Sequence, residues 1–102
     1  MKKTIMLFAG TTEGRRICEF LAVKKCITHV YVTTEYGKEL LPGQNNVHIH
    51  VGKMDEKQMS DEIKAIHPDI VIDATHPYAT QVTQNIIEAC DSRHIFYVMV
   101  LR

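Results

Sequence analysis

No apolar run in this 102-residue sequence approaches the length needed to cross a bilayer, and neither sign of charge is in excess: twelve basic residues stand against twelve acidic ones. The first absence leaves no candidate for a membrane-spanning helix. The second, with the two signs interspersed, argues against nucleic acid or an anionic membrane surface as a partner. Repeats, low-complexity tracts and linkers are lacking as well, so a chain that is 45% apolar is expected to form one domain around one core. Cys18, Cys26 and Cys90 show no Cys-x-x-Cys spacing and are odd in number. They read as small packing residues, kept as thiols in a reducing compartment. Met1-Lys2-Lys3 before an apolar stretch has the outline of a secretion signal, but the stretch is short and runs into Thr-Thr-Glu-Gly-Arg-Arg. It reads as a first strand, and the protein is expected in the cytoplasm.

What the chain does have is alternation. Five apolar, partly β-branched runs recur at residues 4–9, 29–33, 47–51, 70–74 and 95–101. Between the first two, Ile17, Phe20, Leu21 and Lys24 follow helical spacing, with Lys24 and Lys25 near the helix end, where cations are favoured. After the third run Asp55 suits an N-cap, Met59, Ile63 and Ile66 form a stripe, and His67-Pro68 stops the helix. Pro77 suits the first turn of a last helix, in which Val82, Ile86, Ala89 and Cys90 share a face. The link over 35–46 leaves room for one or two helical turns around 38–41. This order predicts an α/β domain: a doubly wound, five-stranded, mainly parallel Rossmann-like sheet with helices on both faces. Ile70-Val71-Ile72 reads as a central strand buried on both sides, and the stop at Arg102, directly after the fifth run, reads as a domain boundary within a larger protein.

Open parallel sheets bind ligands beyond the carboxyl ends of their strands, near the point where strand order reverses. After the first run, Gly10 allows a tight turn, Thr11 and Thr12 supply hydroxyls and a helix cap, and Arg15 or Arg16 can reach a phosphate. Thr12 and Arg15 stand where the dinucleotide fingerprint G-x-G-x-x-G has its second and third glycines, and no Gly-Lys-Ser/Thr follows to make a P-loop. The plain alternative is an ordinary strand-to-helix turn. After the second run, Glu35 suits a ribose 2′-hydroxyl and points to NAD, whereas Thr33, Thr34 and Lys38 leave NADP open; a solvated loop is the alternative. After the third, Gly52-Lys53-Met54-Asp55 is a small turn where an adenine edge can rest or where Asp55 only caps a helix. His48 and His50 alternate onto one strand face and read as partly exposed, not as a metal pair. After the fourth, Asp73 can anchor a turn, Thr75 can bond the backbone or a nicotinamide ribose, and His76 and Tyr78 can touch substrate; a capping or exposed histidine is the alternative. His29, His67 and His94 fall at element edges without evident partners and read as surface residues.

Taken in order, Phe8-Ala9-Gly10-Thr11-Thr12-Glu13-Gly14-Arg15, Thr34-Glu35-Tyr36-Gly37, Val51-Gly52-Lys53-Met54-Asp55 and Asp73-Ala74-Thr75-His76-Pro77-Tyr78-Ala79 resemble the amino-terminal half of the precorrin-6A and cobalt-precorrin-6A reductases. The resemblance implies reduction of one double bond of a corrin-precursor macrocycle in cobalamin biosynthesis, with hydride from NADPH or NADH, and two Rossmann-like domains with the macrocycle between them. It implies that Gly10, Thr11, Thr12, Glu13, Gly14 and Arg15 cradle the pyrophosphate. Thr34, Glu35 and Lys38 would then meet the adenosine ribose. Asp73 and Thr75 would border the nicotinamide, with His76 and Tyr78 as candidates for charge stabilisation or proton donation. The second domain lies outside this sequence. Two rival readings stand beside it: a dihydrodipicolinate-reductase-like enzyme, which shares Asp-x-Thr-x-Pro but carries a fuller glycine fingerprint, and a non-catalytic nucleotide-sensing domain. A phospho-receiver would need acids where Phe8-Ala9-Gly10 stand.

Overall fold

The structure, a computed structural model, describes residues 2–100. Five strands, β1 (Lys3–Phe8), β2 (Cys26–Val32), β3 (Val47–Val51), β4 (Ile70–Asp73) and β5 (Phe96–Met99), form one sheet in the order β3-β2-β1-β4-β5. Every pairing is parallel, so the expected doubly wound sheet holds without an antiparallel member. Four helices, α1 (Thr12–Ala22), α2 (Glu35–Glu39), α3 (Glu56–Ile66) and α4 (Thr80–Ser92), fill the crossovers. Alternation along β1 splits the core in two. Met6 and Phe8 pack with Met59 and Ile63 of α3 and Ile86 of α4, while Leu7 packs with Cys18 and Ala22 of α1 on the opposite face. The chain therefore leaves β1 and β4 toward opposite faces, which opens a crevice at the carboxyl end of the sheet between them.

Local chemistry explains most boundaries. Asp55 and Gln58 form a reciprocal capping box at α3, with bonds of 2.8 and 2.9 Å, and His67 closes that helix at a left-handed φ of 52°. Several boundaries differ from the sequence expectations. β2 begins at Cys26 rather than His29, because Cys26 and Thr28 are buried along β1 and the Thr28 N–H is taken by the Asn46 carbonyl oxygen. α2 starts at Glu35, ahead of the expected 38–41, because the Thr34 hydroxyl caps it. Lys24 and Lys25 lie past the end of α1, and Phe20 faces solvent with the Lys24 ammonium 4.5 Å over its ring. The buried face of α1 is instead Gly14, Cys18, Leu21 and Ala22. Pro77 is not in the first turn of α4: local bonds hold residues 76–79 in a separate turn, and the helix begins at Thr80 without a side-chain cap. In β4 Val71 is fully buried but Ile70 and Ile72 are only half-buried, since no helix among the described residues covers that face beyond α1. Leu101, placed in the expected fifth run, lies outside the described residues.

All three cysteines are free and buried, and burial pushes the Cys18 and Cys90 thiols up to about 11. Among the described residues no helix is long and apolar enough to cross a membrane.

Candidate functional site

The loops after β1 and β4 meet at the reversal of strand order. The Thr11 hydroxyl donates to the Ala74 carbonyl oxygen at 2.6 Å and accepts the Gly14 N–H at 3.0 Å. Its single proton is thus committed to the fold, while Thr12, exposed at the first position of α1, keeps an outward hydroxyl. Gly10 has φ +124°, a conformation costly for any side chain, and open space where a Cβ would lie. Gly14 is needed for the opposite reason. A Cβ there would meet the Ala9 Cβ at 2.9 Å and the Ala74 Cβ at 3.4 Å, so α1 sits hard against the ends of β1 and β4. The close helix–sheet packing of a fingerprint's third glycine is therefore performed by Gly14, one residue before the position counted from Gly10.

Two cavities open on either side of this junction and share Ala9, Gly10, Val32 and Thr33. The first, about 490 Å³, has a largely apolar floor of Phe8, Met54 and Met59, with Lys53, Thr75, His76 and Tyr78 at its walls. The second, about 510 Å³, lies against the start of α1 and is lined by Thr11, Thr12, Arg15, Thr34 and Tyr36, among others. Arg15 is its only charged side chain among the described residues, and the Arg15 Nε is buried there without a hydrogen-bond partner. Glu13 is half-buried in the first turn of α1 and lines neither cavity. Glu35 and Lys38 are exposed on α2 and also lie outside both linings; Thr34 lines the second cavity, its hydroxyl oxygen accepting the Gly37 N–H at 3.0 Å.

Asp73 is 2% exposed, and both of its carboxylate oxygens are occupied from within the chain. Oδ1 accepts the Thr75 N–H at 3.1 Å and the Thr75 hydroxyl at 2.7 Å; Oδ2 accepts the Thr83 hydroxyl at 2.7 Å and the Tyr97 hydroxyl at 2.9 Å. Thr83 and Tyr97 have no sequence signature that ties them to Asp73. Only parity hints at Tyr97, because it pairs with Val71, two residues from Asp73 and on the same face. His76 and Tyr78 are exposed, their rings 5.2 Å apart, and the Tyr78 N–H donates to the His76 Nδ1 at 3.2 Å. An accepting Nδ1 leaves the proton of a neutral imidazole on Nε2.

The histidines of β2 and β3 form a separate cluster. Parallel register sets His29 opposite His48 and Tyr31 opposite His50, and the rings stack from Phe8 through Tyr31, His50 and His29 to His48. His29 is therefore half-buried, with Nδ1 3.0 Å from the His50 Nε2, and is not the partnerless surface residue expected. Burial lowers its pKa, with further lowering from His50 and His48 against an opposing pull from Glu62. Tyr31 donates to Glu62 at 2.8 Å. Among the described residues no group of three or more His, Cys, Asp or Glu side chains is arranged to hold a metal ion. His67 and His94 are exposed, both at positive φ at helix ends.

Residues 4–102 match the family model described as precorrin-6x reductase CbiJ/CobK. A cobalt-precorrin-6A reductase from Synechocystis sp. is 28% identical over 95 residues, which cover 93% of this chain and 36% of that protein. One from Methanothermobacter thermautotrophicus is 31% identical over 98 residues, covering 95% of this chain and 32% of that protein. The chain thus spans about a third of the length of the curated relatives it matches. Its fold is similar to that of a CobK precorrin-6A reductase, with a TM-score of 0.81 at 24% identity over all of this chain and 39% of that one. The Rossmann-like architecture, the two tied loops and a match along nearly the whole sequence converge: this chain belongs to the precorrin-6x reductase CbiJ/CobK family.

Proposed function

We propose that this chain is the dinucleotide-binding half of a two-domain reductase that uses NADPH or NADH to reduce a corrin precursor, precorrin-6A or cobalt-precorrin-6A, in cobalamin biosynthesis. The observation that carries the reading is the junction of the two cavities at Gly10, where an open glycine turn meets a helix N-terminus with Thr12 and Arg15 beside it. The buried Arg15 Nε without a partner and the space above Gly10 both fit an anion. On this reading the pyrophosphate lies over residues 10–12, and the nicotinamide end enters the first cavity beside Thr75.

Arg15, not an acid, supplies the charge in the second cavity, so we assign the adenosine ribose to the Thr33–Thr34 turn and favour a 2′-phosphate over a bare 2′-hydroxyl. Glu35 and Lys38 then act from outside that lining. Asp73 acts through Thr75, since its oxygens are already filled. The nicotinamide supplies the hydride. The chain's own part is to orient that ring over apolar side chains, to exclude water with Phe8, Met54 and Met59, and to present the His76 Nε2 proton and the Tyr78 hydroxyl toward the macrocycle. A further domain would close the macrocycle site. The test is calorimetric titration with NADPH and NADH. Tighter binding of NADPH, weakened about tenfold by Arg15→Ala, is expected. Binding of neither dinucleotide at about millimolar concentration would overturn the reading.

A further inference from the structure

A buried carboxylate is costly unless its lone pairs are filled, and Asp73 has no ion-pair partner among the described residues. It is instead held by donors from three separate elements: Thr75 in the turn after β4, Thr83 on α4 and Tyr97 on β5. The two threonine protons both go to Asp73, which leaves their 3.4 Å oxygen contact without a hydrogen to share. The rest of the turn is held locally, by the Ala79 N–H on the His76 carbonyl oxygen and the Tyr78 N–H on the His76 ring. Ala74 is tied by its N–H to the Phe8 carbonyl oxygen and by its own carbonyl oxygen to the Thr11 hydroxyl; beyond Ala74, the anchorage of the turn to the sheet runs through Thr75 and the Asp73 carboxylate.

We infer that Thr83 and Tyr97 are positioning residues: by fixing the Asp73 carboxylate they hold Thr75, and with it the His76–Tyr78 turn, at the wall of the first cavity. This rests on the dinucleotide reading only in what the cavity holds, not in how the turn is held. Oδ1 serves the Thr75 N–H and hydroxyl together while Oδ2 is held on the other side by Thr83 and Tyr97, which fixes the rotation of the carboxylate. Removing either outer donor leaves Oδ2 half-satisfied and lets the carboxylate rotate away from Thr75. Burial and the neighbouring Asp73 push the Tyr97 phenol far up, so it remains a donor throughout the working pH range.

The test uses amide hydrogen exchange in the free chain, followed by ligand titration. Tyr97→Phe and Thr83→Val are expected to speed exchange of the Thr75 amide by about tenfold. Exchange at Val30, buried in the middle of β2, should be unchanged, and Thr83→Ser should restore protection. The same two variants should weaken NADPH while leaving 2′-phospho-ADP-ribose, which lacks the nicotinamide, bound as in the parent. Unchanged Thr75 exchange, or equal acceleration at Thr75 and Val30, would overturn the inference. Failure of the parent chain to bind NADPH would overturn the dinucleotide reading, while the exchange result would still decide this one.

Discussion

The hydroxyl of Thr11 bonds the carbonyl oxygen of Ala74 across 63 positions of sequence, at 2.6 Å. One side chain thereby caps α1 and fastens the loop after β1 to the loop after β4, so the two motif-bearing segments are tied together at the reversal of strand order. Thr11→Val should cost about 0.5–2 kcal/mol from the lost cap alone. Thr11→Ser keeps both bonds and should lie within a few tenths of the parent. Urea unfolding of the two variants checks the ordering, and equal stabilities would contradict it.

Gly14 tolerates no side chain. Gly14→Ala should push α1 from the ends of β1 and β4 and destabilise the fold by about 1–3 kcal/mol, despite alanine's better helix propensity. Thermal unfolding measures the loss; a rise in melting temperature would show that Ala9 and Ala74 yield more easily than their spacing indicates.

These two residues also show how far the sequence could be read. The strands announced themselves through apolar runs, and the Gly10 and Asp73 segments fell at strand ends as expected. The role of Gly14 was hidden, because counting the fingerprint from Gly10 sets Arg15 in the third glycine's place, and close packing is visible only once helix and sheet are assembled. The early start of β2 was missed because Thr28 and His29 interrupt the apolar run, and with it went the stacking of His29, which depends on a register between strands. Pro77 misled the start of α4, since the local bonds from the Thr75 N–H to Asp73 and from the Tyr78 N–H to the His76 ring hold the segment as a turn ahead of the helix. Thr83 and Tyr97 reach Asp73 by tertiary placement alone.

The histidine stack makes stability depend on pH. His29 has its pKa lowered from 6.5 in the fold, chiefly by burial, so the unfolded chain takes up the proton first as the solution is acidified. Its contribution is therefore neutral well above about pH 6.5 and becomes unfavourable as pH falls from there toward the folded-state value. The urea midpoint should drop more steeply between about pH 7.5 and about pH 5.5 in the parent than in His29→Gln. Parallel pH profiles would contradict this assignment.

Native thiols should be unreactive. With Cys18, Cys26 and Cys90 all buried, and the first and last pushed up to about 11, a thiol-exchange reagent near neutral pH should label the folded chain far more slowly than the unfolded one. Fast labelling in the absence of denaturant would mean that the core opens locally around one of them.

The most direct measurement is a map of backbone amide shifts on adding NADPH to the isotopically labelled chain. Saturable shifts are predicted at Gly10, Thr12, Arg15, Thr33, Gly52 and Thr75, tracing one ligand across both cavities. Shifts confined to the His29, His48 and His50 face, or none at about millimolar NADPH, would contradict the dinucleotide site.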